Sequence, residues 1–382
     1  MYKRVNRALA IGTAVMWMTY TPFAVADTAT PEMVQAKTTQ VHEPVREDGG
    51  PAGDTRPEEE GLKLNEYLTL NGLVEVDAIV ARDFEGADTS TIELSTVELA
   101  LAARVAEWAS GLVVVTYEED DFFLDQANIT LGKTEKMPFF LTAGRVYVPF
   151  GYFATNMLQD PLTQLLGEIN VEGVTAGLEL FGLTGEFFGY KGMQETGESE
   201  SLRGVGAALT YAWEQDETAL NTGIAWVNNI ADAEGIADVL SEGGIDTLAS
   251  LVNGISIHLD AGHGPFAVIG EYTSALDSFA SDELAPEDGA ESGAKPAAWN
   301  TELAYTTELL SRETVIAAGY QGSREAVALS LPEQRLIAAV SMEVVKNTHV
   351  SLEYYYDQDY AVGDGGTGED GYGFTTRLAY AF

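Results

Sequence analysis

The chain has 382 residues, of which 60 are Asp or Glu and 20 are Lys or Arg, giving a net charge of −40. So acidic a chain is a poor match for nucleic acid or anionic lipid surfaces. The absence of cysteine excludes disulfide frameworks, thiolate metal sites and Cys nucleophiles. The 39 glycines, 10% aromatic residues and mean hydropathy of −0.03 suit many twisted strands with half of their side chains facing water.

The first element is a signal peptide over residues 1–26. Lys3, Arg4 and Arg7 form a positive start, Ala8 to Tyr20 is largely apolar, and Ala24-Val25-Ala26 offers a cleavage site before Asp27. The apolar run is too short for a membrane anchor and is broken by Thr19, Thr21 and Pro22. Cleavage would leave an excess of about 43 negative charges, since three cations and no acid are removed. Residues 27–63, punctuated by Pro31, Pro44, Pro51 and Pro57 and ending near Glu58-Glu59-Glu60, read as a flexible acidic periplasmic leader. A short helix around Glu32 to Gln40 and a plug lying in a pore are alternatives for this segment. No later stretch reaches the roughly 18 apolar residues of a membrane helix. An exported chain of membrane character would therefore span as a closed barrel.

From Leu64 onward the chain divides into about sixteen strand-like segments, with 14 or 18 as alternatives. The expected fold is an all-β transmembrane antiparallel barrel over residues 64–382. In the first segment Leu68, Leu70, Val74, Val76 and Val80 share one face, opposite Thr69, Asn71, Glu75 and Asp77. In the second, Val97, Leu99, Leu101 and Val105 oppose Glu98 and Arg104. The last puts Tyr372, Phe374, Thr376, Leu378, Tyr380 and Phe382 on one face and Gly373, Thr375, Arg377 and Ala379 on the other. A soluble sandwich could bury such a face. A terminal aromatic closing an amphipathic strand is what outer-membrane barrels show, and Tyr380 and Phe382 are read as an assembly signal for the barrel-assembly machinery.

The connections favour the barrel. After the fifth segment they alternate long and short: Gly151–Leu166 then Phe181–Gly182, Lys191–Leu202 then Gln215–Glu217, Asn228–Thr247 then Ala261–Gly264. The rhythm continues with Ala275–Ala294, Leu309–Ser311, Gln321–Glu333, Val344–Asn347 and Gln358–Asp370. Long outer loops and short periplasmic turns are expected of such barrels, with lipids and lipopolysaccharide as neighbours. The first four segments fit less well, because Glu118–Asp121 makes a very short outer loop.

The acidic run Ala275 to Lys295 reads as a solvated loop, with Ca2+ binding that ties loops together as the sharper alternative. Otherwise no cofactor is expected. Ser256, His258 and Asp260 resemble a triad on paper, but residues two apart on a strand lie about 6.8 Å apart, too far for a relay. No enzyme motif is present, and a barrel protease or lipase is the weaker reading, beside a structural or adhesive barrel. Some sixteen strands and a short polar leader fall short of a plugged 22-strand energised transporter, so passage is expected to be passive.

Residues 122–169 carry the sharpest motifs. Phe123-Leu124-Asp125-Gln126-Ala127-Asn128 is followed by Gly144-Arg145-Val146-Tyr147-Val148-Pro149-Phe150-Gly151, then by Asn156, Asp160-Pro161 and Gly167-Glu168. This order resembles the LbtU-type siderophore porins of Gram-negative outer membranes. The resemblance implies a pore-forming barrel that takes up ferric siderophore without catalytic residues; a general, cation-preferring diffusion porin is the alternative. The loop between Gly151 and Asp160 holds Tyr152, Phe153 and Met157, unusually apolar for an exposed segment. It is expected either to fold into the mouth and narrow the pore or to pack on the rim. The inferred lumen carries Glu75, Asp77, Glu98, Glu302, Glu308 and Glu353, an acidic wall that favours cations. Arg104 and Arg377 would form one basic strip if their strands adjoin, or pair with these acids as wall salt bridges.

Overall fold

A computed structural model describes residues 61–382, apart from 119–120, 135–136, 196–202 and 287–291. The signal peptide, and the leader up to residue 60, lie outside the described residues. The leader's end joins the sheet, as Leu62 and Lys63 pair with Leu70 and Thr69.

Sixteen strands follow in the order β1 (Leu68–Arg82), β2 (Asp88–Ala106), β3 (Ala109–Glu118), β4 (Asp121–Thr134), β5 (Met137–Tyr147), β6 (Asn170–Leu180), β7 (Leu183–Tyr190) and β8 (Gly204–Gln215). They continue with β9 (Thr218–Val227), β10 (Gly254–His263), β11 (Phe266–Ala275), β12 (Ala297–Leu309), β13 (Arg312–Arg324), β14 (Gln334–Val345), β15 (Thr348–Gln358) and β16 (Asp370–Ala381). Each pairs antiparallel with its sequence neighbours, and β16 closes the barrel on β1, with Arg377 opposite Asp77 and Leu378 opposite Val76. Closure leaves no unpaired edge, the condition for spanning hydrocarbon with strands.

The period-two pattern sets the two faces. On β16, Tyr372, Phe374, Leu378 and Tyr380 are exposed on the outside, whereas Gly373, Thr375, Arg377 and Ala379 are buried. Phe382 exchanges both backbone hydrogen bonds with Gly72, at 2.8 and 2.9 Å, and its ring covers that glycine. Tyr380 and Phe382 stack with centroids 5.9 Å apart.

One end of the barrel has short turns, such as 107–108, 181–182, 216–217 and 310–311. The other carries eight connections: L1 (83–87), L2 (119–120), L3 (148–169), L4 (191–203), L5 (228–253), L6 (276–296), L7 (325–333) and L8 (359–369). Two sequence boundaries need correcting. L5 extends past Thr247 to residue 253, and β13 continues past Gln321 to Arg324. Leu248 to Asn253 is mostly apolar and so reads as the start of the next strand, whereas Gly322, Ser323 and Arg324 dilute the alternation in β13.

The main apolar cluster sits at the long-loop end, not midway along the wall. Phe150, Leu162, Leu166 and Ile169 of L3 meet Ile230, Ile236, Leu240 and Leu248 of L5, together with Phe279 and Leu284 of L6 and Leu329 of L7. Two helices carry part of it, α1 (Leu162–Gly167) in L3 and α2 (Glu234–Glu242) in L5. Ile236 and Leu240, four apart on one face of α2, are fully buried. Each such side chain contributes about 1.5–3 kcal/mol. L1 and L8 add no residue to this cluster, whose loop members come from L3, L5, L6 and L7.

Candidate constriction and lumen

L3 lies inside the barrel, and three wall glutamates hold it there. The Val148 N–H donates to the Ile169 carbonyl at 3.0 Å, closing the base of the loop. Gly151 then takes φ +97°, and a Cβ there would collide with the Phe153 ring, which also rests on Gly167. Phe153 itself has φ +56°, a conformation rare for an aromatic residue that persists only where surroundings enforce it. Glu271 of β11 supplies that enforcement. Its carboxylate accepts the Tyr152 N–H at 2.6 Å, the Phe153 N–H at 3.0 Å and the Thr163 hydroxyl at 2.9 Å.

The loop next crosses to β12, where Glu302 accepts the Asn156 N–H at 2.9 Å, the Asn156 side-chain amide and the Thr155 hydroxyl. On β15, Glu353 accepts the N–H groups of Leu158 and Gln159. The chain turns back as the Leu162 N–H donates to Gln321 of β13 at 3.1 Å. Met157 packs on Ala304, Ala317, Ile337 and Ala339 of the inner wall. Tyr152 stacks on His258 at 4.4 Å and donates its hydroxyl to Asp260 at 3.0 Å. Pro161, in extended geometry, precedes α1. Glu302 and Glu353, expected to line the lumen, do face inward but are occupied by L3. Glu271 and Gln321 were missed, although inward parity on their strands was readable.

At the loop tip Asp160 is buried. Burial raises its carboxyl well above the usual range, with Glu118, Glu75 and Glu353 adding and Arg377 opposing. Burial likewise raises Glu168, helped by Glu234 and Asp160. Across the lumen Arg377 binds Asp77 through Nε and Nη2 at 2.8 and 2.7 Å and Glu75 through Nη1 at 2.9 Å. The wall salt bridge is thus the arrangement at Arg377. The shared basic strip is not formed. Leu68 faces Ala103 whereas Asp77 faces Glu93, so about 30 Å of strand separates Arg104 from Arg377. Arg104 is exposed near the short-turn end, as is Glu308. Arg335 makes a second bidentate wall pair with Asp357 at 2.8 Å.

The motif residues of β4 to β6 meet near the long-loop end. Tyr147 donates its hydroxyl to Asp125 at 2.5 Å, and the Asn170 amide donates to the Asp125 carbonyl at 3.0 Å. Arg145 lies 4.0 Å from Glu172. Glu98 is buried on the inward face of β2. Ser256, His258 and Asp260 take separate partners: Glu271, Asn221 and Tyr152 respectively. In the acidic L6, Glu283 accepts the Ala249 and Ala280 N–H groups, and Asp277 accepts the Asn253 amide. Buried acids such as Glu75, Asp77, Glu98, Asp125, Glu186 and Glu271 thus dominate the inner surface, and buried Arg377 and partly buried Arg335 are held in ion pairs.

No family model matches the chain. Over 314 residues, 78% of the chain, it is 28% identical to the UPF0422 protein of Coxiella burnetii. The match spans 66% of that relative's length, just under two thirds of it. Among solved structures, the chain superposes on the outer membrane channel DcaP of Acinetobacter baumannii with a TM-score of 0.58 at 15% identity, covering 84% of this chain and 99% of that one. It superposes on an anion-selective porin from Comamonas acidovorans with a TM-score of 0.56 at 12% identity, covering 82% and 99%. The chain therefore has the closed sixteen-strand antiparallel barrel fold of outer-membrane porins.

Proposed function

We propose that the chain is a passive diffusion channel of a Gram-negative outer membrane, constricted by L3 and preferring cations. One observation carries the reading: a closed barrel holds an inward loop pinned across its lumen, and the walls facing that loop are acidic. Rings of carboxylates favour cation passage. Arg377 and Arg335 do not offset this, because each is neutralised by the acids it binds. The apolar outer face implies lipid and lipopolysaccharide as surroundings, and Phe382 at the closing strand implies handling by the barrel-assembly machinery.

Purified protein in a planar bilayer under a KCl gradient tests the reading. Discrete conductance steps with a cation-selective reversal potential are expected. Absence of steps removes the channel, and an anion-selective potential removes the charge argument.

A second reading, ferric siderophore as the solute, rests on a different observation. The segment resembling LbtU-type siderophore porins supplies β4, β5 and L3, the part of the barrel best placed to read a passing solute. Adding ferric siderophore to the same bilayer, and to iron-starved cells lacking the gene, separates a siderophore porin from a general one.

A further inference from the structure

The tip of L3 is held by the neighbours of Asp160 and not by Asp160 itself. On one side the N–H groups of Leu158 and Gln159 donate to Glu353, and on the other the Leu162 N–H donates to Gln321. Between these anchors Asp160 is only 8% exposed. Among the described residues, none of the hydrogen bonds that fix the tip to the wall uses its carboxyl group. The loop therefore carries an ionisable group into a nearly dry contact without giving it a donor.

Strand register shows what that group meets. Glu353 of β15 lies opposite Thr375 of β16, and Arg377, two residues further on, lies opposite Asp77 of β1. Glu75, also on β1, lies opposite Thr96 of β2. The next pair along, Val97 with Tyr117, brings Glu118 of β3 to the end of the same row. Glu75, Asp77, Glu118 and Glu353 thus gather on neighbouring strands around Arg377, whose guanidinium is already shared by Asp77 and Glu75. Beyond Glu353, Arg335 pairs with Asp357 and lies over the Tyr355 ring. On the L3 side, Glu168 adds one more acid. An ionised Asp160 would be a buried charge among like charges, whereas a protonated one is a neutral group that the contact tolerates. Burial and the acids Glu118, Glu75 and Glu353 accordingly raise its carboxyl, against the pull of Arg377.

We propose that the L3 tip is a proton-sensitive latch: it stays docked on the wall of β15, β16 and β1 while Asp160 carries its proton, and lifts away when Asp160 loses it, widening the passage. The docked tip holds the proton more tightly than a lifted, hydrated one. Docking is therefore favoured at low pH and weakens as pH rises through the docked value. The bonds to Glu271 and Glu302 lie nearer the base of the loop and do not involve Asp160, so the base stays while the tip moves. The inference adds regulation to passive diffusion and rests on L3 as the constriction.

Planar-bilayer recordings in about 1 M KCl test it, since a Debye length of about 3 Å suppresses direct charge effects on permeation. Mean conductance and open-channel noise of the wild type are expected to rise between about pH 5 and about pH 9, the range that burial and like charges open to a carboxyl. Asp160→Asn should hold the low-conductance state throughout. Glu118→Gln removes a repelling neighbour and should move the transition to lower pH. Amide exchange at Leu158 and Gln159, corrected for intrinsic rates, separates movement of the tip from a mere change of charge. Protection there should fall over the same range in the wild type and persist in Asp160→Asn. A wild type without a transition, a transition kept by Asp160→Asn, or protection independent of pH overturns the latch. Should Asp160→Asn lose the heat-sensitive gel mobility of a folded barrel, Glu118→Gln decides, and an unmoved midpoint overturns the proposal. If the latch fails but deleting residues 153–165 raises conductance, the constriction stands alone. If that deletion changes nothing, the constriction falls and takes the latch with it.

Discussion

Replacing Glu271 should free L3 in a graded way. Glu271→Ala removes the acceptor for two backbone N–H groups, those of Tyr152 and Phe153, which are 4% and 9% exposed. Each orphaned buried donor costs about 1–3 kcal/mol, so the pinned state loses about 2–6 kcal/mol. At about 1.4 kcal/mol per tenfold change, the detached population rises roughly thirty-fold to ten-thousand-fold. Release of the left-handed Phe153 pushes in the same direction, by about 1–3 kcal/mol. Glu271→Gln removes the same charge but keeps one acceptor oxygen, so it should lose about half as much. Single-channel recordings in KCl read the outcome, as larger mean conductance and greater open-channel noise, in the order Ala above Gln above wild type. Equal traces for Ala and Gln would show that charge and not anchoring is at work, and traces identical to wild type would refute the tether altogether.

Other perturbations probe separate parts of the molecule. Deleting residues 153–165 should raise conductance several-fold, and unchanged conductance would reject the constriction. Arg377→Met strands Glu75 and Asp77, at 1% and 4% exposure, and should cost about 3–5 kcal/mol of barrel stability, measured as a lower unfolding temperature on heated gels; an unchanged midpoint would refute the pairing. Gly151→Ala meets both the Phe153 ring and a φ of +97°, so it should cost about 1–3 kcal/mol and loosen L3, read as faster proteolysis between 150 and 168. The raised carboxyl of buried Asp232, pushed up to about 6, means that the folded cap holds a proton the unfolded chain releases from its ordinary value of 3.8. Cap stability is therefore greatest below about 3.8 and falls as pH rises through about 6. Amide exchange in α2, corrected for intrinsic rates, should be faster at pH 8 than at pH 5, and equal protection would contradict the burial.

Much of the barrel was legible because a strand has only two faces. The side-chain parity of Tyr372 to Phe382 or of Val350 to Tyr356 needs no tertiary information, and sixteen such runs leave little choice of architecture. What stayed hidden depends on register or on backbone partners. Arg104 and Arg377 sit on strands both adjacent to β1, yet only the pairing of Leu68 with Ala103 shows how far apart they lie. Glu302 and Glu353 read as lumen acids because their partners are N–H groups of L3, which leave no mark in the sequence. Glu271 was overlooked for the same reason. The apolar character of Tyr152, Phe153 and Met157 did signal that L3 is covered, but not by which wall.

The shared loop interior has a consequence for how the long-loop end tolerates change. L3, L5, L6 and L7 share one apolar interior, to which the described residues of L1 contribute nothing. A lesion in any one of those four loops therefore propagates to its neighbours, while L1 can be remodelled alone.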